Sequence, residues 1–303
     1  MSKKLWGIDL GGTKIEGVVL KSAEDPEVLI RQRIDAEAAK GYEHTQNRIK
    51  LLIDQISEQI GEKPTTFGIG TPGAIDPPTG LLKNSNSQAI NKKPFKRDLE
   101  ALMGMPIHMA NDANCFALAE TRMGIVADEY PDAEVVFGVI MGTGVGGGVV
   151  VNGQLIHGKQ GIGGEWGHSF LDESGGPCYC GKTGCVEKII AGPSLERYYH
   201  EVSGEQKRLK EIIPLARTGE DPHAVATLDR LIHFFGRGLS TVINILDPDV
   251  VVLGGGVGNI DELYTRGVAE VEKNVFNPRL DTQIIKPKLG DSAGVFGAAF
   301  LMA

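Results

Sequence analysis

Three of the four cysteines in this chain lie within eight positions of one another and follow a histidine: His168, Cys178, Cys180 and Cys185. Thiolate sulfur and imidazole nitrogen are the ligands that tetrahedral zinc prefers, and three cysteines with one histidine complete its coordination shell. A complete shell leaves no position for a catalytic water. The spacing therefore predicts a structural zinc site that would hold the flanking side chains of Glu165 and Glu187 in place.

Two other interpretations of these cysteines stay open. Cys178 and Cys185 could form a disulfide, or all three could be ordinary loop thiols. Nothing in the sequence suggests export, and reducing compartments favour metal binding over cystine. The fourth cysteine, Cys115, lies in an apolar helical run and is expected to be a buried core thiol.

Two glycine-rich segments could bind the phosphates of a nucleotide. The first joins a carboxylate at the end of an apolar strand to a turn with open backbone: Asp9, Gly11, Gly12, Thr13 and Lys14. The second turn and a later triplet offer similar groups: Thr143, Gly144, Val145 and Gly146, then Gly254, Gly255 and Gly256. Glycines leave backbone N–H groups open to an anion, and the Asp9 carboxylate could hold Mg²⁺ through water.

Neither turn has the spacing of a Walker motif or of the dinucleotide fingerprint. A single glycine hairpin is more often only a tight turn, and this alternative stays open for each segment taken alone. Two equivalent turns facing one cleft, with a third glycine triplet, form a stronger pattern. Together they predict binding of ATP.

Asn111 and Asp112 follow a predicted strand and precede a predicted helix. An exposed carboxylate at this point could act as a general base, taking the proton from a sugar hydroxyl that attacks the γ-phosphorus of ATP. Asp112 could also be the N-cap of the helix, and the two roles are compatible. The sequence therefore offers Asp112 as the candidate catalytic residue.

Further polar positions could supply the hydrogen bonds that a polyhydroxylated ligand needs. The candidate sugar-binding residues are Gly73, Asn86, Asn111, Asp112, Glu165, His168 and Glu187. His168 could serve twice, with one ring nitrogen on the metal and the other directed towards the sugar, because a metal-bound imidazole is neutral and its second nitrogen is a donor.

The two glycine turns belong to two similar segments, residues 6–20 and 137–151, which align without gaps and share three glycines and two valines at matching positions. Each segment reads as a strand, a tight turn and a second strand. A repeated hairpin predicts a duplicated domain with a cleft between the copies. Chance matches between glycines are the alternative.

Apolar periodicity predicts the elements that would position these residues. Helices are predicted over 43–60, 96–103, 113–122, 194–199, 207–216 and 222–245, and strands over 66–69, 107–110 and 250–253. Strands that alternate with helices are typical of an α/β protein.

Composition excludes several classes of partner. The chain has 303 residues, a formal net charge of −8 without blocks of like charge, and 41 glycines. Nucleic-acid binding depends on Lys and Arg that neutralise phosphates, so no nucleic-acid partner is expected. No apolar run is long enough for a signal peptide or a membrane span, so we expect a cytoplasmic protein without a membrane partner.

At these residues the chain resembles the ROK family (repressors, open reading frames and kinases). The family's motifs are matched by Asp9 to Thr13, Asn111 to Asn114, Gly142 to Gly144, and Gly164-Glu165-x-Gly167-His168 through Cys185-x-Glu187. The resemblance covers nearly the whole chain. It implies the actin-like ATPase (ribonuclease H-like) fold, a duplicated two-domain α/β architecture with a central cleft. The implied domains are 1–115, completed by a C-terminal helix at about 291–303, and 116–290 with the zinc loop.

The resemblance also implies an activity. Family kinases use ATP and Mg²⁺ to phosphorylate the 6-hydroxyl of a hexose, with Asp112 in the position of the base and a structural Zn²⁺ on the cysteine-histidine set. Homodimers are common among them. Family repressors carry a winged helix-turn-helix before the first hairpin, whereas Asp9 comes almost at once here, so a DNA-reading role is not expected.

Fructose is the hexose that the resemblance favours, because residues 79–87, 94–99, 177–182 and 244–249 look most like bacterial fructokinases (manno-fructokinases) of this family. Glucokinases and N-acetylglucosamine or N-acetylmannosamine kinases of the family are the alternatives. Two other classes stay open: a sugar-sensing regulator that uses the same cleft without catalysis, and a glycoside-processing enzyme that uses Glu165 and Glu187 as paired carboxylates.

Overall fold

The computed structural model describes residues 3–85 and 87–303. The chain divides into two compact units. The first comprises Met1–Pro131, Gly148–Gly163 and Lys288–Ala303, and the second comprises Asp132–Gly147 and Gly164–Pro287. The domain boundary predicted between residues 115 and 116 lies inside a helix, Asp112–Arg122, all of which belongs to the first unit. The predicted domain limits, 1–115 with about 291–303 and 116–290, remain a prediction.

The first sheet carries the first glycine turn. The strands in this part of the chain are β1 (Leu5–Leu10), β2 (Lys14–Leu20), β3 (Val28–Asp35), β4 (Phe67–Thr71), β5 (Ala74–Ile75), β6 (Leu82–Lys83) and β7 (Ile107–Asn111). The sheet has the order β3-β2-β1-β4-β7, with β5 and β6 paired separately. Strands β1, β4 and β7 are parallel, so their carboxyl ends lie at one edge of the sheet.

The second sheet repeats this order. Its strands are β8 (Val135–Met141), β9 (Val145–Val151), β10 (Gln154–Leu155), β11 (Val250–Gly254) and β12 (Gln283–Ile285), arranged as β10-β9-β8-β11-β12. Numbered along the chain within each sheet, the five strands have the same spatial order, 3-2-1-4-5, in both sheets. The two predicted hairpins are confirmed, and the shared strand order supports duplication.

The helices confirm the α/β prediction. They are α1 (Tyr42–Ile60), α2 (Phe95–Met103), α3 (Asp112–Arg122), α4 (Ile125–Glu129), α5 (Glu187–Ile190), α6 (Gly192–Ser203), α7 (Leu209–Thr218), α8 (Pro222–Leu246), α9 (Gly255–Gly258), α10 (Arg266–Asn274) and α11 (Ala293–Phe300). The six helices expected from periodicity are all present, with ends that shift by up to four residues. No helix within residues 3–85 and 87–303 combines the length and apolar character needed to cross a bilayer.

The core of the first unit forms where α1 and α11 pack on the first sheet. The apolar face of α1 is fully buried at Ile49, Leu52 and Ile56. Helix α11 lies so close to β4 that a Cβ on Gly68 would stand 1.7 Å from the carbonyl oxygen of Ala298. Only glycine fits at this crossing, so its place in the sequence follows from close packing rather than from a turn.

A buried carboxylate anchors the segment that enters α11. Glu120 in α3 is 0% exposed and accepts backbone hydrogen bonds from Ile125 at 3.0 Å, Lys288 at 3.1 Å and Leu289 at 2.9 Å. These bonds tie α3 to the start of α4 and to the chain just before α11. A buried carboxylate is tolerated when its oxygens are satisfied in this way.

Replacing Glu120 with glutamine is expected to lower the free energy of unfolding by about 2 kcal/mol, as measured by chemical denaturation. The amide has one oxygen and one NH₂ group, so at least one of the three N–H donors would face another donor in the interior. Glu129→Gln, at an exposed position of α4, is the matched control and is expected to unfold like the wild type. A Glu120→Gln protein of unchanged stability would show that the negative charge is not needed there.

Candidate functional site

The carboxyl edge of the first sheet brings together candidate residues from three strands. Asp9 of β1 stands opposite Gly70 of β4, and Thr71 of β4 stands opposite Asn111 of β7. Asp112 follows directly at the start of α3. Polar groups at the carboxyl ends of parallel strands are typical of binding sites in open α/β sheets. Asp9 and Asn111, which are 111 − 9 = 102 positions apart in the sequence, thus lie at one edge of the sheet.

Asn111, and not Asp112, is the N-cap of α3. Asn111 has extended backbone angles, and its side-chain oxygen accepts a hydrogen bond from the amide of Asn114 at 2.8 Å. Asp112 is the first helical residue, and its carboxylate accepts a hydrogen bond from the neighbouring amide of Ala113 at 2.8 Å. The hypothesis that Asp112 caps the helix is therefore wrong, because the preceding residue already has the extended conformation that a cap requires.

Both aspartates have raised pKa values. The Asp112 side chain reaches solvent, yet surrounding protein atoms desolvate its carboxylate and raise its pKa. Burial, followed by the charges of Asp112 and Glu16, raises the pKa of Asp9 to about 7. Cys115 is 0% exposed, which confirms the predicted core thiol. Burial, followed by the charges of Asp9 and Asp112, raises the pKa of the Cys115 thiol well above its usual value. A carboxylate with a raised pKa is a stronger base than one in water.

The start of α11 lies against the Asp9 carboxylate. A Cβ on Gly294 would stand 3.2 to 3.3 Å from all three carboxylate atoms of Asp9. Nearby, the buried Glu16 forms ion pairs with Arg31 and, at 2.9 Å, with Arg33. Both arginines also donate to the hydroxyl of Ser292, the residue that precedes α11. The backbone at the start of α11, held by the two arginines through Ser292, therefore covers one side of the Asp9 carboxylate. The neighbouring turn over Gly12, Thr13 and Lys14 is exposed.

Gly73 takes a backbone conformation that other residues rarely adopt. Its φ is 92°, and a Cβ would stand 2.5 Å from the carbonyl oxygen of Lys83 in β6. The turn between β4 and β5 thus needs glycine to pack on the β5–β6 hairpin. The other sugar-binding candidate from this loop, Asn86, lies outside the described residues.

The predicted zinc ligands of the second unit converge. One ligand atom from each of His168, Cys178, Cys180 and Cys185 lies within 4.8 Å of every other. The Nδ1 of His168 is 3.6 Å from the sulfur of Cys178, and the sulfurs of Cys180 and Cys185 are 3.6 Å apart. Tetrahedral zinc with bonds of about 2.0 to 2.3 Å requires separations of about 3.6 Å for N···S and about 3.8 Å for S···S. The set fits zinc, and all four cysteines of the chain are free thiols rather than disulfides.

The second nitrogen of His168 has a protein partner. Its Nε2 lies 2.9 Å from the hydroxyl of Tyr179, a residue of the metal loop that the sequence analysis did not select. Glu165 directly precedes the 3₁₀ helix Trp166–His168. Burial, followed by nearby negative charges that include Glu187 and Glu165, raises the pKa of Tyr179 to about 12.

Glu187 also connects the metal loop to the second glycine turn. Its Oε2 accepts a hydrogen bond from the amide of Val145 at 3.1 Å. A Cβ on Gly144 would stand 2.4 Å from the same oxygen, so a larger residue there would displace the carboxylate. The turn is closed by the Gly142 amide, which donates to the Gly144 carbonyl at 2.9 Å. The metal loop and this turn are thus joined by a direct contact, which the sequence did not predict.

A cavity of about 600 Å³ opens beside the second glycine turn, within the second unit. It is lined by Gly142, Thr143, Gly192, Pro193, Glu196, Arg208, Leu209, Lys210, Ile213, Pro214, Arg217, Gly256, Val257, Asn259 and Ile260. Of the predicted nucleotide-binding residues, Thr143 and Gly256 line it, whereas Gly144, Val145, Gly146, Gly254 and Gly255 do not. The walls from α6 and α7 were missed, because scattered apolar and basic residues carry no motif.

The two sheets of identical order, the glycine turns at matching positions and the helices around them define a protein of the actin-like ATPase class. The ROK family sequence profile matches residues 5–303. The chain therefore belongs to the ROK family, and its fold and relatives are those of the sugar kinases in that family.

Several sugar kinases align with almost the whole chain. The N-acetyl-D-glucosamine kinases of Haemophilus influenzae and Vibrio cholerae are each 35% identical to it, over 98% of both chains. The ROK hexokinase of Thermus thermophilus superimposes with a TM-score of 0.87 at 32% identity, covering 99% of this chain and 97% of its own. A ROK family glucokinase of Streptomyces griseus, solved with glucose and AMPPNP, has a TM-score of 0.76 at 27% identity, with 99% of each chain covered.

Proposed function

We propose that this protein is an ATP-dependent hexose kinase that transfers the γ-phosphoryl group to the 6-hydroxyl of N-acetylglucosamine. The observation that carries the kinase assignment is the placement of Asp112. Its carboxylate is solvent-accessible, has a raised pKa and stands at the strand edge that also presents Asp9. This is the environment that a general base for a sugar hydroxyl requires.

In the proposed reaction Asp112 takes the proton of the 6-hydroxyl as its oxygen attacks the γ-phosphorus. Magnesium bound with ATP would neutralise charge on the β- and γ-phosphates, and Asp9 would hold it through water. Backbone amides at Gly11 and Gly12 would face phosphate oxygens of the nucleotide. Because phosphoryl transfer needs little covalent help from the protein, positioning of these groups would supply most of the acceleration.

The cavity in the second unit is proposed as the nucleoside site. Its volume of about 600 Å³ lies within the usual range for small-molecule sites. Ile213, Val257 and Ile260 offer apolar walls for a planar base, and Thr143 and Gly256 bring the glycine segments to one side of it. Arg208 and Lys210 add positive charge for an anionic ligand.

The metal loop is proposed to hold a structural Zn²⁺. His168 and the three cysteines would fill all four positions, so the ion takes no part in the transfer. The loop would instead fix Glu165 and Glu187, whose acceptor-only carboxylates suit the hydroxyls of a sugar. The homodimer implied by the family resemblance and the cytoplasmic location expected from the lack of a long apolar run remain predictions.

N-acetylglucosamine is preferred to fructose on the basis of the relatives. The fructokinase assignment from short segments has no support among them, whereas two N-acetyl-D-glucosamine kinases match the chain over almost its full length. They favour what the sequence analysis held as its alternative. Glucose ranks second, since the Streptomyces griseus relative is a glucokinase.

A panel of sugars tests this proposal. With purified full-length protein and Mg-ATP, release of ADP is followed for N-acetylglucosamine, glucose, mannose, N-acetylmannosamine and fructose. We expect kcat/KM for N-acetylglucosamine to exceed that for fructose at least about tenfold, with the product phosphorylated at the 6-position. Sugar binding without ADP release would favour the sensor class, and sugar cleavage without ATP would favour the glycoside-processing class.

A further inference from the structure

Tyr179 stands between two metal-binding cysteines, and the proposed function does not use it. Its side chain is 74% exposed, which is unusual for a tyrosine in an ordered loop. Its hydroxyl lies 2.9 Å from Nε2 of His168, and the two rings meet edge to face at a centroid distance of 5.1 Å and an angle of 89°. The phenol therefore has one fixed contact and one open face.

The metal-binding geometry determines which atom donates in this contact. The other nitrogen of His168, Nδ1, faces the sulfur of Cys178 at 3.6 Å. With Nδ1 on the metal, the imidazole is neutral and its hydrogen is on Nε2. The histidine then donates to the oxygen of Tyr179, so the phenolic hydrogen remains to be given to another acceptor.

The surroundings of this hydroxyl are those of the proposed sugar site. Glu165 directly precedes the 3₁₀ helix that ends at His168, and Glu187 begins α5 two residues after Cys185. Glu187 is itself held by the amide of Val145 at the second glycine turn. Carboxylates only accept hydrogen bonds, whereas the phenol is arranged to donate one. The site thus combines two acceptors for sugar hydroxyls with one oriented donor.

We propose that Tyr179 is a specificity-determining residue whose hydroxyl, oriented by His168, donates to the carbonyl oxygen of an N-acetyl group on the bound sugar. This inference rests on the proposed function, because only there are Glu165 and Glu187 sugar ligands. An amide carbonyl can only accept, so it suits the oriented donor that this site offers beside its two acceptor carboxylates. The exposed ring provides an apolar surface for the acetyl methyl group.

Such a contact discriminates between otherwise similar sugars. A sugar with the acetamido group gains a hydrogen bond, whereas one without it leaves the oriented donor without a sugar partner. The effect on binding should therefore be large for N-acetylglucosamine and small for glucose. If Tyr179 only supported metal binding, its replacement would not change the affinity for N-acetylglucosamine relative to that for glucose.

The experiment compares Tyr179→Phe with the wild type by calorimetric titration of each sugar without ATP. We expect Kd for N-acetylglucosamine to rise about tenfold, Kd for glucose to change less than about twofold, and the KM for Mg-ATP to stay constant. Zinc content, measured by plasma emission, is expected to remain at that of the wild type. Tyr179→Ala, which also removes the ring, is expected to weaken N-acetylglucosamine binding further.

Phe170→Leu is the matched control for the metal loop. Phe170 is a second exposed aromatic residue of this loop, at 66% exposure, and its ring lies near Gly184. Its replacement is expected to leave both sugar affinities unchanged.

Three results would overturn the inference: unchanged N-acetylglucosamine affinity in Tyr179→Phe, an equal loss for both sugars, or loss of zinc. The proposed function is tested separately, because titration needs no transfer. A wild-type protein that binds N-acetylglucosamine through Tyr179 without phosphorylating it would refute the kinase and keep this inference. A wild-type protein that binds none of the sugars would refute both.

Discussion

Replacing Asp112 with asparagine is expected to lower kcat for sugar phosphorylation by about 10³-fold while the fold and the sugar affinity are kept. The amide has the same shape and can still accept the Ala113 amide hydrogen bond, but it cannot take a proton from the attacking hydroxyl. Steady-state ADP release would measure kcat and the KM for the sugar, and circular dichroism would report whether the fold is kept. Asp54→Asn, at a partly exposed position of α1 whose carboxylate pairs with Lys50, is the control and is expected to keep full activity.

The pH profile should identify the same residue. The folded-state pKa of Asp112 is raised above 3.8 by desolvation, and the base works only when it is deprotonated. Activity of the wild type is therefore expected to fall as pH drops through this raised pKa. Burial, followed by the charges of Asp112 and Glu16, raises the pKa of Asp9 to about 7. Activity should therefore also fall as pH drops through about 7 if Asp9 must be charged to hold magnesium. Near-normal turnover of Asp112→Asn would eliminate Asp112 as the base.

Replacing Cys185 with serine is expected to remove the bound metal and to lower the free energy of unfolding by several kcal/mol. Cys185 is 0% exposed and lies 3.6 Å from the sulfur of Cys180, so its loss opens the coordination shell. Metal binding in such loops is coupled to folding, because the unfolded chain has no preformed site. Sugar affinity should fall as well, since His168 would lose its position.

Metal analysis, thermal denaturation and sugar titration would measure these effects. Cys115→Ala is the control, because Cys115 is the one cysteine that lies apart from the metal loop. It is expected to keep the metal while losing some stability through its small cavity. A Cys185→Ser protein with wild-type stability and sugar affinity would show that the loop folds without a metal.

The elements nearest the chemistry were predictable from the sequence because local rules determine them. The hairpins at residues 6–20 and 137–151 carry β-branched strands on either side of glycine, and α1 has apolar residues at helical spacing. Both signals depend on residues close together in the chain. The convergence of His168 with the three cysteines was predictable for a different reason, since metal ligands constrain one another chemically.

The parts that were missed depend on distant packing. Strand β3 lies at the edge of its sheet, and its exposed, polar sequence has little apolar pattern. Helix α11 was expected only from the family resemblance, because it is buried on nearly every side and has no amphipathic period. The contact of His168 with Tyr179 depends on how the metal loop folds, and residue spacing does not contain that information.

The helix cap shows the same limit at one residue. Aspartate and asparagine are equally good caps, so Asn111-Asp112 allows either residue to take the role. The strand β7 extends through Asn111, and this decides between them. The sequence could therefore locate the cap at Asn111-Asp112 but could not determine which of the two residues is the N-cap.

The packing of α11 has a consequence for how the protein is made. The ribosome delivers β1 and β4 early, but the helix that covers Gly7 and Gly68 emerges only after the whole second unit has been translated. Until then the nascent first sheet has one uncovered apolar surface, and nascent chains with such surfaces are prone to aggregate. The core of the first unit can thus close only after the second unit has been synthesised, whereas residues 164–287 can begin to collapse before α11 is made.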